Sequence, residues 1–174
     1  MINTQFYKDI YYNYVRPNLV YESVYDIDFE LLYDDGIRHL FFDIDNTIIS
    51  YREDGVSLQC LNLFNSILNL QFDTVALISN NSSYDRVDKV AKQLKLPAVA
   101  FACKPFPFTM RRVLADAKLN PKECAFVGDQ LMTDIILANT LGLKSIFVEP
   151  LDTSSVSKLR LLQYKVQESL LNKF

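Results

Sequence analysis

The stretch Ile37-Arg38-His39-Leu40-Phe41-Phe42-Asp43-Ile44-Asp45-Asn46-Thr47 decides how this chain is read. Its first part, Ile37–Phe42, is a short, largely apolar run of strand length, as expected for a strand buried in a parallel sheet. The run ends on two carboxylates, Asp43 and Asp45, which share a side wherever the chain stays extended. Carboxylates crowded at the end of a buried strand repel one another and call for a cation. The hard, oxygen-seeking Mg²⁺ suits such a set, with a backbone carbonyl and waters completing its shell.

Working outward, similar runs recur at Thr74–Ile78, Ala98–Phe101, Cys124–Val127 and Ser145–Val148. Between them lie stretches of helical spacing, Leu58–Leu70, Tyr84–Leu94, Thr109–Ala117 and Thr133–Leu141, several with Ser or Thr near their starts as caps. A parallel crossover needs a helix-sized connection, so the alternation predicts an α/β, Rossmann-like fold. The expectation is a central parallel sheet of about five strands with helices on both faces. In such sheets ligands bind beyond the carboxyl ends of the strands, which makes the residues after each strand the informative ones.

After Thr74–Ile78 comes Ser79-Asn80-Asn81, a hydroxyl and backbone N–H groups at a helix start, suited to an anionic oxygen. After the next strand comes Cys103-Lys104-Pro105, in which Lys104 supplies a compact positive charge. Cys124–Val127 runs into Gly128-Asp129-Gln130-Leu131-Met132-Thr133-Asp134, adding Asp129 and Asp134 to the acidic set. Singly, each of these is ordinary turn chemistry. Following four successive strands in order, they supply the separate parts of one phosphoryl-transfer site.

DxDNT, SNN, KP and GDQxxTD in that order resemble the four motifs of the haloacid dehalogenase superfamily of phosphatases. GDQLMTDI, with SNN and the upstream Pro17-Asn18 and Tyr25-Asp26-Ile27, resembles the YqeG-type group of its subclass IIIA, a likeness spanning most of 17–150. The resemblance implies that Asp43 is a nucleophile forming an aspartyl-phosphate, and that Asp45 protonates the leaving oxygen and then activates water. It implies that Ser79 and Lys104 hold phosphoryl oxygens, with Thr47 and Asn80 in the same phosphate-binding set. It also implies that Asp43, the Asp45 carbonyl, Asp129 and Asp134 form the Mg²⁺ site. Eukaryotic relatives of this group are phosphatidylglycerophosphate phosphatases, which makes that lipid the leading substrate. A soluble sugar phosphate, a nucleotide or a nucleic-acid end is the alternative; a non-catalytic interaction protein would be expected to have lost one of the motifs.

The remaining features bound this reading. At 174 residues the chain suits one domain: an aromatic-rich helical extension over 1–35, a catalytic core over 36–150 and an amphipathic helix over 151–174. A net charge of −3 and the absence of a basic stripe oppose nucleic acid as a partner. Cys60, Cys103 and Cys124 form no CxxC pair, which argues against zinc and for free thiols in a reducing, cytoplasmic setting. No run approaches the ~18 apolar residues of a membrane span.

The short spacings from Thr47 to Thr74 and from Asn81 to Lys104 leave no room for a substantial cap domain, so the site is expected to be open to a large or membrane-presented phosphate. Phe101, Phe106 and Phe108, with Arg111 and Arg112, make an apolar and cationic rim; the alternative is that these rings anchor the loop in the core. Phe6, Ile10 and Tyr14 either lie on a bilayer, with weak peripheral contact, or pack on the domain. The stripe Leu159, Leu162, Val166 and Leu170 is expected to cover the sheet.

Overall fold

The structure is a computed structural model describing residues 8–154, 156 and 158–171, without the side chains of residues 158 and 159. The expectations for Phe6 and for the Leu159 side chain therefore lie outside the described residues.

Period-two alternation builds the centre of the molecule. Strand β2 (His39–Phe42) is buried on both faces, as its apolar run requires. Leu40 and Phe42 face one side, packed with Phe64 and Ile67 of helix α2 (Leu58–Asn69) and Val87 and Val90 of α3 (Tyr84–Leu94). Phe41 faces the other, with Met110 and Leu114 of α4 (Phe108–Asp116) and Leu137 and Ala138 of α5 (Ile136–Leu141). Truncating a ring such as Phe42, fully buried against Phe64 and against Phe29 of the first helix, α1 (Phe29–Asp34), costs about 3–5 kcal/mol.

The other strands are β1 (Leu19–Tyr21), β3 (Thr74–Ile78), β4 (Ala98–Val99), β5 (Cys124–Gly128) and β6 (Lys144–Val148). They form a six-stranded sheet in the order β1-β6-β5-β2-β3-β4, with every pairing parallel. This is the Rossmann-like α/β sheet, with one strand beyond the expected five. The extra strand, β1, has only three residues and follows a π-helical turn at Tyr11–Val15. Its position is secured from afar, because Asn18 pairs through backbone and side chain with Ser145 at the start of β6. No local alternation marks it.

Register brings the strand ends level. Phe42 stands opposite Leu77 on one side and Val127 on the other, so Asp43, Ile78 and Gly128 leave the sheet at one height. Between Asp45 and β3 the chain makes a tight return at Ile49, a loop and α2; between Asn81 and Lys104 it makes α3 and β4. Among the described residues no inserted domain stands over this edge.

The last helix, α6 (Lys158–Leu171), departs from expectation. Leu162 and Val166 are 58% and 49% exposed, while Tyr164 and Gln167 are buried. The helix is turned so that Tyr164 and Gln167 face inward, while Arg160 and Gln163, completing a spacing of i, i+3, i+4 and i+7, border the cleft. Hydrogen bonds to buried acceptors and donors outweigh the apolar stripe here. Near the N-terminus Tyr11 is buried, its hydroxyl donating to Leu170 O at 3.2 Å, whereas Ile10 and Tyr14 are exposed. No helix among the described residues is long and apolar enough to cross a membrane.

Candidate active site

Four strand-end loops and α6 enclose a cleft of about 390 Å³, lined by Asp43, Asp45, Ser79, Asn80, Lys104 and Asp134, with Tyr51, Gln130, Arg160 and Gln163 among its other walls. Asp43 is placed by its own backbone, whose N–H donates to Val127 O at 2.9 Å and extends the β2 ladder by one residue. Lys104 comes from the loop after β4. Asn80 fixes that loop by accepting from Lys104 N–H at 2.7 Å and donating to Lys104 O at 2.8 Å. Left-handed backbone at Phe101 and Cys103, uncommon away from glycine, turns the chain sharply on either side of Ala102. Ser79 is buried, and its Oγ accepts from Asn81 N–H at 3.0 Å.

At the floor, Lys104 Nζ lies 2.6 Å from Asp43 Oδ1 and 2.8 Å from Asp134 Oδ1, and donates to Ile78 O at 2.9 Å. Burial alone would lower the lysine's pKa, but Asp134 and Asp43 outweigh it and hold the ammonium more firmly protonated than usual. Burial pushes Asp43 up to about 7; Lys104 pulls against that rise, and Asp134 adds to it. Asp129, fully buried, is likewise raised well above the carboxylate range by burial and then by Asp43 and Asp134.

Asp43, Asp129 and Asp134 each offer one oxygen, all within 4.8 Å of one another. Asp134 Oδ1 lies 2.8 Å from the Lys104 ammonium in a buried ion pair. Hard oxygen donors gathered by shared burial fit a divalent cation. Gly128 makes the arrangement sterically feasible: a Cβ there would lie 2.5 Å from Asp134 Cβ, Cγ and Oδ2.

Of the expected residues, Thr47 sits outside the cleft lining and Asp45 lines it away from the acidic trio. Thr47 is fully buried outside the cleft lining, its hydroxyl donating toward Asp129 Oδ1 at 3.4 Å. The Asp45 carboxylate stands apart from the acidic trio. It is held by Arg86 Nε at 2.8 Å and Asn81 Nδ2 at 2.7 Å, and Arg86 also donates to Ser50 O and Glu53 O.

Sequence reasoning missed Arg86, and it missed α6 as a wall of the site. Tyr164 donates to Asp129 Oδ2 and accepts from Asn46; Gln167 donates to Asp129 O and accepts from Leu131 N–H. Arg160 lies over the Tyr51 ring at 5.0 Å and lines the cleft with Gln163. The available signal was the polar spacing of these four residues.

Comparison with known proteins agrees with this geometry. A HAD-hydrolase-like family model matches residues 101–165. The chain is 25% identical over 138 residues to the probable phosphatase YqeG of Bacillus subtilis, covering 79% of each. It is 27% identical over 145 residues to the mitochondrial phosphatidylglycerophosphatase GEP4 of Saccharomyces cerevisiae, covering 76% of this chain and 77% of that one. Its fold is similar, at a TM-score of 0.51 and 15% identity, to 3-deoxy-D-manno-octulosonate 8-phosphate phosphatase of Moraxella catarrhalis, solved with magnesium, phosphate and KDO; 84% of this chain and 97% of that one are covered. The chain is a phosphatase, similar to those of the haloacid dehalogenase superfamily and, among them, to the YqeG type.

Proposed function

We propose that the chain hydrolyses the terminal phosphomonoester of a phospholipid headgroup, phosphatidylglycerophosphate being the best candidate, with Mg²⁺ as its metal. The observation that carries the chemistry is the convergence of Asp43, Asp45, Ser79 and Lys104 on one cleft beside the Asp129 and Asp134 carboxylates. The substrate reading is supported by the likeness to GEP4 and by a cleft without an inserted cap.

In this reading an Asp43 oxygen attacks phosphorus as the ester P–O bond breaks, and Asp45 delivers its proton to the departing alkoxide. Asp45 then takes a proton from water, whose oxygen attacks phosphorus and releases Asp43 as the free carboxylate. Ser79 and Lys104 bind the phosphoryl oxygens, with Asn80 steadying Lys104 and Thr47 acting through Asp129. Asp43, the Asp45 carbonyl, Asp129 and Asp134 hold the metal, which when bound neutralises charge on the phosphoryl oxygens.

The test is phosphate release from dispersed phosphatidylglycerophosphate beside soluble sugar phosphates and nucleotides, with Asp43→Asn as the blank and EDTA as a second control. Preference for the lipid, lost in both controls, is expected. Better turnover of a soluble ester would overturn the substrate, and activity surviving in Asp43→Asn would overturn the mechanism.

A further inference from the structure

Exposed apolar side chains follow closely in sequence on residues of the cleft. Phe106 and Phe108, on either side of Pro107, are 62% and 74% exposed although they follow directly on buried Lys104. Tyr84, 68% exposed on α3 two residues beyond the cleft-lining Ser82, meets the exposed Phe101 at a tilt with ring centroids 5.0 Å apart. Met132, half exposed, stands between Leu131 and Thr133 in a π-helical turn after β5, and Thr133 lines the cleft. Large apolar residues gathered on one edge while the core is closed without them mark a contact surface.

The charge of this edge identifies what it contacts. In a chain of net charge −3, the stretch from Cys103 to Arg112 on this edge carries three cations and no carboxylate. Lys104 belongs to the site, and Arg112 has an ion partner in Asp116. Arg111, exposed in the first turns of α4, follows Phe108 by three positions and so lies on its side of the helix. Phenylalanines projecting past arginines match the layering of an anionic bilayer, acyl chains beyond a negatively charged surface.

We propose that this edge, with Phe106 and Phe108 as its anchors, docks on an anionic lipid bilayer and brings the cleft over a headgroup in the membrane plane. The inference rests on the phospholipid reading of the substrate. The loop that carries Lys104 inward carries the two rings outward, so docking and phosphate binding share one segment. A second copy seated on the same edge would close the cleft instead of feeding it.

The experiment is cosedimentation with vesicles of phosphatidylcholine, with and without phosphatidylserine, a diester lacking the phosphomonoester that the site would take. The wild type should bind the anionic vesicles, and Phe106→Ser/Phe108→Ser should lose about tenfold or more in partitioning, as two withdrawn aromatic rings require. Arg111→Gln should weaken binding severalfold, with the effect removed by salt. Hydrolysis of a soluble aryl phosphate should stay within about twofold of wild type in all variants, reporting an intact fold and site.

Equal vesicle binding by the double variant, or no binding by the wild type, overturns the proposal; so does a wild-type dimer that the double substitution dissociates. Turnover of the lipid in detergent micelles separates the two readings. A wild type that docks but leaves micellar lipid intact sinks the substrate and spares the surface. One that cleaves micellar lipid, with double variants equally fast on vesicles, sinks the surface alone.

Discussion

Tyr164 on α6 donates its hydroxyl to Asp129 Oδ2 at 2.7 Å, tying the last helix to a carboxylate at the end of β5. The contact leaves Asp129 less free to turn and offsets part of the burial that raises its pKa. Tyr164→Phe keeps the ring and removes the donor. The Mg²⁺ concentration for half-maximal turnover should rise about tenfold or more, as for other groups that orient a metal ligand, with a stability loss of about 1 kcal/mol. Turnover measured across a Mg²⁺ series checks this, and an unmoved midpoint would reduce Tyr164 to packing.

Arg86 clamps the Asp45 carboxylate and the carbonyls of Ser50 and Glu53 at once. Arg86→Met should release both, with a loss of roughly ten- to a hundredfold concentrated in kcat, because the displaced group is the proposed proton donor. Steady-state kinetics on a soluble ester, with proteolysis of the 50–55 loop as a second readout, distinguish this from general unfolding.

Gly128→Ala tests how tightly the floor is built. The new methyl would have to displace the Asp134 carboxylate, since three of its atoms lie 2.5 Å from the added carbon. Overpacking of this kind costs about 1–3 kcal/mol, and here the displaced group is a candidate metal ligand. A lowered melting temperature together with lost metal-dependent activity is expected; a variant as stable and active as wild type would contradict the packing.

The raised pKa of Asp43 sets a pH dependence. From about pH 4 to 7 the unfolded chain has lost this proton while the folded, metal-free protein retains it, so stability of the metal-free protein falls as pH rises through that window. A divalent cation competes with the proton. The rise in Tm on adding Mg²⁺ should therefore be small near pH 5 and largest above about pH 7. Thermal melts with and without the metal follow it directly.

The meeting of Asp43, Ser79, Lys104 and Asp129 was legible because each follows a short strand, at the edge where a parallel sheet gathers ligands. The acidic repulsion at Asp43 and Asp45 was equally visible, as both lie in one five-residue segment. Tyr164 was not, because its partners Asn46 and Asp129 are 118 and 35 positions away, and no local period records such a pairing. Reading Leu162 and Val166 as the inward face of α6 failed for a related reason. Apolar spacing locates a stripe, while buried hydrogen-bonding demand decides which way the helix turns. β1 was lost to brevity, and Arg86 was one charge among many on an amphipathic helix.

The acidic trio and its single lysine have a consequence for the order of events. Burial favours protons on Asp43 and Asp129 in the metal-free floor. In the ionised form that attack by Asp43 requires, three carboxylates and one ammonium leave an excess of two negative charges, and a phosphomonoester near neutral pH brings almost two more. Two such dianions do not share a buried cleft. Above about pH 7 loading is therefore sequential: inorganic phosphate should protect the protein against heat only when Mg²⁺ is present, and protection by phosphate alone would mean that retained protons, Arg160 or another cation had taken the neutralising part.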